Sequence, residues 1–200
     1  MKLYYAPSSP YVRKVMAVAI TLDLDRQITL IPVKPFESPA ELLAVNPLSR
    51  IPCLVTVDGV ALFDSPVICE YLDSTGDAAE LFPPPGPARW RALKQQAMAD
   101  GILDAAVLRR MESLKPQDAA RDALMERQRN VVVRALDVFE ADLPHRSIDI
   151  GTISLACALG YLDFRFAHEP WRDTHPHLAA WCSAFATNPG IARTVPRDAV

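Results

Sequence analysis

Two serines precede a proline near the start of the chain, in the segment Ser8-Ser9-Pro10. Apolar residues recur at helical spacing after the proline, so we expect a strand at residues 2–5 to turn into a helix there. The first amides of a helix are unpaired and carry partial positive charge, and a nearby serine hydroxyl can donate a hydrogen bond to an anion. The same hydroxyl can instead simply cap the helix. The residues alone leave both roles open.

Further candidate residues lie between residues 50 and 66. Asp64-Ser65-Pro66 places a carboxylate and a hydroxyl at the expected start of a helix. There they can bind a charged ligand or act as an ordinary cap. Arg50-Ile51-Pro52 precedes a predicted strand, and a proline at that point is compatible with the opening of an edge strand.

The elements expected around these residues follow the order β-α-β-α-β-β-α. Asp58-Gly59 is typical of a two-residue hairpin turn between the last two strands. This order predicts a compact mixed sheet with helices on its faces. The strands are expected at residues 2–5, 27–32, 53–57 and 60–63, and the helices at 10–22, 38–45 and 65–74.

The remainder of the chain predicts helices alone. A proline-rich run at residues 83–87 cannot continue a helix or a central strand, and it indicates a linker at 79–87. The linker would separate an α/β domain at 1–78 from an all-helical domain at 88–200. Helices are expected at 89–112, 118–142, 149–165 and 176–187. The third of these is apolar on nearly every side and should be the buried centre of the second domain.

Charge and cysteine content exclude several classes of function. With 21 basic and 24 acidic residues the net charge is −3, which argues against nucleic acid or an anionic membrane surface as the main partner. No apolar run approaches the ~20 residues of a membrane span, and the start does not read as a signal peptide, so we expect a cytoplasmic protein. The cysteines lack the spacing of a zinc site, so no metal is expected and they are predicted to be buried thiols.

Five segments, taken in order, resemble the glutathione transferase superfamily over the whole chain, most closely its YibF-type bacterial members. Each segment alone is a weak signal, whereas their order and spacing are specific. They are Ser9-Pro10-Tyr11-Val12-Arg13-Lys14, Phe63-Asp64-Ser65-Pro66, Ala99-Asp100-Gly101-Ile102-Leu103-Asp104, Gly160-Tyr161-Leu162-Asp163-Phe164-Arg165 and Ala192-Arg193-Thr194-Val195-Pro196.

This resemblance implies a thioredoxin-like, glutathione-binding first domain and roles for its candidate residues. Ser9 aligns with the position that stabilises the glutathione thiolate, and Ser8 is the reserve candidate. Pro52 would be cis, which would expose the backbone of Ile51 to pair with the cysteinyl part of glutathione. A trans proline at an edge strand is the alternative.

The resemblance also assigns residues to the two charged ends of glutathione. Asp64 would accept from the γ-glutamyl ammonium, and Ser65 would donate to the γ-glutamyl carboxylate. Arg50 would either meet the glycyl carboxylate or be solvated. Asp104, on the first long helix, would either reach the γ-glutamyl group bound by a neighbouring subunit or be solvated surface. The first of these roles implies a homodimer.

The function implied is a glutathione transferase that uses the thiolate on a small apolar electrophile, with glutathione as co-substrate. Arg109 and Arg110 would line the substrate pocket or be exposed. Fold does not fix function, and two alternatives remain. The first is a non-catalytic stress or adaptor protein of the same fold. The second is a glutathione-dependent peroxidase or isomerase.

Overall fold

The computed structural model describes residues 1–76 and 81–198, which form two compact units. The first unit comprises Met1–Pro83 together with Asn188–Val200, and the second comprises Pro84–Thr187.

A four-stranded mixed sheet is the centre of the first unit, in the order β2-β1-β3-β4. β1 is parallel to β2 and antiparallel to β3, and β3 is antiparallel to β4. Helices α1 and α3 pack against each other. The sheet order and the order of the elements together confirm the predicted thioredoxin-like fold. The elements are β1 (Lys2–Tyr5), α1 (Pro10–Thr21), β2 (Thr29–Pro32), α2 (Ala40–Leu43), β3 (Cys53–Val55), β4 (Ala61–Leu62) and α3 (Ser65–Thr75).

Several elements are shorter than the sequence-based expectation, including β3 and β4, which were expected at 53–57 and 60–63. The strand expected at 27–32 begins at Thr29, because Asp25–Gln27 form a turn of 3₁₀ helix. The helix expected at 38–45 is a single turn, α2, and Pro39 rather than Ser38 precedes it. Ser38 has a left-handed φ of 47°, so its backbone cannot serve as the extended cap that helix entry requires.

The second unit is helical throughout the residues described. α6 is almost entirely buried and packs along α4, as expected for the central helix. A reciprocal cap begins α6, because Thr152 N–H donates to the Asp149 carboxylate at 2.9 Å and Asp149 N–H donates to the Thr152 hydroxyl at 2.9 Å. The helices are α4 (Pro87–Glu112), α5 (Ala119–Ala141), α6 (Ile150–Arg165), α7 (Trp171–Thr174) and α8 (Pro176–Phe185).

The last segment of the chain belongs to the first unit, whereas the sequence placed it in the helical domain at 88–200. α9 (Pro189–Ala192) packs against α1, and the buried Arg13 guanidinium donates to the Ile191 carbonyl at 3.4 Å. Arg193 also pairs with Asp25 at 2.6 Å. The predicted linker at 79–87 stays a prediction, because residues 77–80 lie outside the described residues.

A carboxylate of α5 stabilises the start of α8. Glu140 accepts from the amides of His177 at 3.1 Å and Leu178 at 2.7 Å. Burial raises the pKa of this carboxyl, but the hydrogen bonds from the two amides and from the His177 ring outweigh that effect, so the pKa lies below its usual value. We therefore expect Glu140→Ala to lower Tm at neutral pH.

The contribution of Glu140 should depend on pH with a defined sign. A carboxyl whose pKa is depressed by folding adds stability above its unfolded pKa and loses it as the pH falls through the folded value. The Tm gap between wild type and Glu140→Ala should therefore close in acid. Glu140→Gln, which keeps an acceptor without the charge, should lie between them. A gap that is absent at neutral pH, or that widens in acid, would contradict this account.

Candidate functional site

Three turns of the first unit leave the sheet at the same end. In β1 and β3, Tyr4 pairs with Cys53, so the end of β1 adjoins the start of β3. In β3 and β4, Leu54 pairs with Leu62, so the end of β4 adjoins the same start. The turns at residues 6–9, 51–52 and 63–64 are therefore neighbours. The fold thus brings the candidate residues of these turns together.

Ser9 is the N-cap of α1 and is half-buried. Its hydroxyl oxygen accepts from the Val12 amide at 3.3 Å. A serine hydroxyl that accepts in this way still has its own proton to donate. Capping and anion binding by Ser9 are therefore compatible. Ser8 lies in the preceding turn and is also half-buried.

The Ile51–Pro52 peptide bond is cis, as the resemblance implies. The loop before it is held by Asn46, which is 1% exposed. The Asn46 side chain donates to the Arg50 carbonyl at 2.9 Å and accepts from the Leu48 amide at 3.0 Å. Asn46 is not among the residues to which the sequence assigns a role. An asparagine before a proline was the available signal, because its side chain commonly bonds to the backbone of a turn.

Asp64 and Ser65 stand at the start of α3. Asp64 is exposed, and its side chain makes no capping hydrogen bond, in contrast to the ordinary cap considered from the sequence. Ser65 is 1% exposed at the first helical position. The Phe63–Asp64 bond is also cis, which the sequence did not predict. The Asp64 carboxylate therefore remains available to a ligand beside the first amides of α3.

The two other candidate residues lie on exposed surface. Arg50 is exposed in the loop that precedes Ile51. Asp104 is exposed on α4, in the helical unit. Their roles toward glutathione remain predictions.

The cysteine next to the cis proline is not a nucleophile at neutral pH. Burial raises the pKa of the Cys53 thiol to about 11, so it stays protonated. Cys53, Cys69, Cys157 and Cys182 are all buried and not in disulfides. In residues 1–76 and 81–198, no group of three His, Cys, Asp or Glu side chains is arranged to hold a metal ion. Nor does any helix there have the length and apolar character to cross a membrane.

A mixed sheet with a cis proline before its third strand, in one chain with a helical unit, defines the class of two-domain proteins with the glutathione transferase fold. The family models agree. Residues 8–75 match the N-terminal domain of glutathione S-transferase, and residues 122–184 match its C-terminal domain. The chain belongs to the glutathione S-transferase family.

Relatives of known sequence and structure extend over the whole chain. The Escherichia coli K12 protein YibF, described as an uncharacterized GST-like protein, is 34% identical over 100% of both chains. A glutathione transferase family member from Pseudomonas fluorescens Pf-5, solved with bound glutathione, is 40% identical over 98% of both chains, with a TM-score of 0.91. A second structure from that organism holds S-(propanoic acid)-glutathione. It is 40% identical over 98% of this chain and 100% of that one, with a TM-score of 0.86.

Proposed function

We propose that this protein is a glutathione transferase that conjugates the glutathione thiolate to a small electrophile. The observation that carries the proposal is the meeting of three turns at one end of the sheet. They bring together the Ser9 hydroxyl at the start of α1, the cis-proline turn at residues 51–52, and the Asp64 carboxylate, which makes no capping hydrogen bond. A relative 40% identical to the chain holds glutathione.

Ser9 would stabilise the thiolate of bound glutathione. A free thiol has a pKa of about 8.5, and each unit of pKa corresponds to about 1.4 kcal/mol. A charge-assisted hydrogen bond from the Ser9 hydroxyl contributes about 1.5–3 kcal/mol. The start of α1 adds about 0.3–1 kcal/mol. Together these lower the thiol pKa by about one to three units, which makes the thiolate abundant at neutral pH.

The remaining contacts would hold the rest of the tripeptide. The backbone of Ile51 would pair with the cysteinyl residue as an added strand does. Asp64 would accept from the γ-glutamyl ammonium, and Ser65 would donate to its carboxylate. Arg50 would meet the glycyl carboxylate. These contacts orient the sulfur and so convert the reaction with an electrophile into a positioned, nearly unimolecular step.

The reaction we propose forms a carbon–sulfur bond. The thiolate attacks an electrophilic carbon, and the displaced electron pair leaves with a leaving group or is protonated at the neighbouring carbon. The Pseudomonas fluorescens relative that holds S-(propanoic acid)-glutathione supports this chemistry, since that ligand carries a substituent on sulfur. We further propose a homodimer in which Asp104 reaches the γ-glutamyl group bound by the partner subunit. The cytoplasmic location stays a prediction.

Replacement of Asp64 tests the proposal directly. Asp64→Asn should weaken glutathione binding by about tenfold or more, because it removes the charge that faces the ammonium. Asp58→Asn is a matched control, because Asp58 is exposed in the hairpin turn at the opposite end of β3 and β4. Both variants and wild type can be compared by calorimetric titration with glutathione.

Two results would count against the proposed function. One is a wild-type chain that passes through immobilised glutathione and conjugates no broad electrophile such as 1-chloro-2,4-dinitrobenzene, which would favour the adaptor alternative. The other is equal glutathione affinity in the Asp64→Asn and Asp58→Asn variants, which would remove Asp64 from the site.

A further inference from the structure

A cavity of about 350 Å³ lies between α5, the end of α6 and the segment that carries α7. Every residue that lines it belongs to the second unit. The three turns of the glutathione site proposed above belong to the first unit and do not line it. Its volume lies within the range of sites that hold small ligands.

Apolar side chains form the floor of this cavity. Each floor residue is no more than 8% exposed, whereas Val133, which lines the cavity beside them, is 38% exposed. A ligand with an apolar body therefore finds both a closed floor and apolar surface to cover. The floor consists of Val132 and Leu136 of α5, Leu162 and Phe166 at the end of α6, and Trp171 of α7.

Asp137 provides an oriented carboxylate at one end of the cavity. Nε2 of His175 lies 3.1 Å from Oδ1 of Asp137, and Nδ1 of the same ring lies 2.9 Å from the Trp171 carbonyl oxygen. His175 is 5% exposed, so its ring is fixed by packing and holds that carboxylate oxygen in place. The other oxygen of Asp137 has no hydrogen-bond partner among the residues that the structure describes, so it can accept from a ligand.

Arg129 provides a guanidinium at the other end. Its contacts with Oε2 of Glu126 and Oε2 of Glu169 are 3.8 and 3.9 Å long, which is beyond hydrogen-bond distance. Both oxygens of Glu169 are already bound by Arg109. In the described part of the chain the Arg129 guanidinium donates no hydrogen bond, so its N–H groups remain available to an anion.

The spacing of these two charges matches the length of a short peptide. Arg129 and Asp137 are eight positions apart on α5, which corresponds to about 12 Å along the helix axis. A free, extended tripeptide has its ammonium and its carboxylate about 10 Å apart. Val133 lies midway between the two charged residues, where the side chain of such a ligand would face the protein.

We infer that this cavity binds a free apolar peptide of about two or three residues. The peptide ammonium donates to the available oxygen of Asp137, and the peptide carboxylate accepts from Arg129. Its apolar side chain packs against Val133 above the floor. Because both charged termini are used, a segment within a longer chain does not meet the same requirements. The assignment goes beyond the proposed function and uses no residue of the glutathione site.

Removing one terminal charge from the peptide tests each end of the site. Ala-Leu-Ala, its N-acetyl form and its C-terminal amide are each titrated by NMR into wild type, Asp137→Asn and Arg129→Gln. Each substitution should weaken binding of Ala-Leu-Ala by about 3- to 10-fold, as expected for a charge pair partly exposed to water. Asp137→Asn should leave binding of the N-acetyl form unchanged, and Arg129→Gln should leave binding of the amide unchanged. Asp122→Asn and Arg127→Gln, at exposed positions of α5 outside the cavity, are the matched controls.

Two further ligands complete the test. Gly-Gly-Gly, which has both charges but no apolar side chain, should bind more weakly than Ala-Leu-Ala. Saturating glutathione should not displace Ala-Leu-Ala, and displacement would place the peptide in the glutathione site and overturn the inference. Absence of binding to wild type, or equal weakening of the free and the blocked peptides, would also overturn it. Charge-dependent binding of Ala-Leu-Ala by a protein that binds no glutathione would contradict the proposed function and support the peptide site.

Discussion

Replacing Ser9 with glycine should lower kcat/KM for conjugation by about 10- to 100-fold. The loss corresponds to one charge-assisted hydrogen bond to the thiolate, worth about 1.5–3 kcal/mol. Glycine is the informative substitution, because a glycine N-cap costs a helix only a few tenths of a kcal/mol. The change removes the hydroxyl while leaving the start of α1 in place. Ser9→Ala would remove the hydrogen bond to the thiolate and also destabilise the start of α1, because alanine is a poor N-cap.

The effect of Ser9→Gly on the rate of conjugation should depend on pH in a defined direction. Without the Ser9 hydroxyl the pKa of bound glutathione rises toward that of a free thiol, so the rate of conjugation should reach its plateau at higher pH. The deficit of Ser9→Gly should therefore be large at neutral pH and shrink in alkali. The ultraviolet absorbance of the bound thiolate, titrated against pH, measures the same shift without turnover.

Ser8 provides the discriminating comparison. Ser8→Ala should shift the thiol pKa less than Ser9→Gly, since Ser9 is the residue at the N-cap of α1. A larger shift in Ser8→Ala would move the thiolate-stabilising role to Ser8. An unchanged profile in both variants would mean that neither hydroxyl holds the sulfur, and the mechanism would be wrong while the fold stands.

The order of the helices and strands could be predicted from the sequence because short-range residue patterns determine it. Asp58-Gly59 marks a hairpin, Pro10 and Pro66 mark helix starts, and apolar periodicity separates strands from helices. Each signal involves residues a few positions apart, so a single sequence contains it. The length of α2 was overestimated because Ser38 has a left-handed backbone, which a serine in the sequence does not indicate.

The features that sequence could not provide are set by long-range packing. α9 returns to α1 because Gly190 lets the two backbones meet, and a Cβ there would lie 2.5 Å from the Ala17 carbonyl oxygen. Arg109 is buried against the Phe166 ring, and this depends on where α6 ends, not on the arginine itself. The same holds for the site. Its three turns are distant in sequence, and only strand register makes them neighbours.

Two glycine-to-alanine changes in the helical unit should act with opposite sign. At Gly151, near the start of α6, a Cβ would lie 2.7 Å from the Ala92 carbonyl oxygen and 2.8 Å from Gln95 Cβ. The first of these atoms belongs to the backbone of α4, which cannot rotate away. Gly151→Ala should therefore force the two helices apart and destabilise the unit by about 1–3 kcal/mol.

Gly101, in the middle of α4, is the matched control because a Cβ there meets nothing within 4 Å. Alanine is favoured over glycine inside a helix by about 0.5–1 kcal/mol, so Gly101→Ala should raise stability by that amount. The identical chemical change, in two helices of one unit, isolates the α4–α6 contact as the cause. Urea unfolding followed by circular dichroism measures both free energies of unfolding. Destabilisation of the same size in both variants would show that the close approach of the α4 and α6 backbones at Gly151 does not explain the effect.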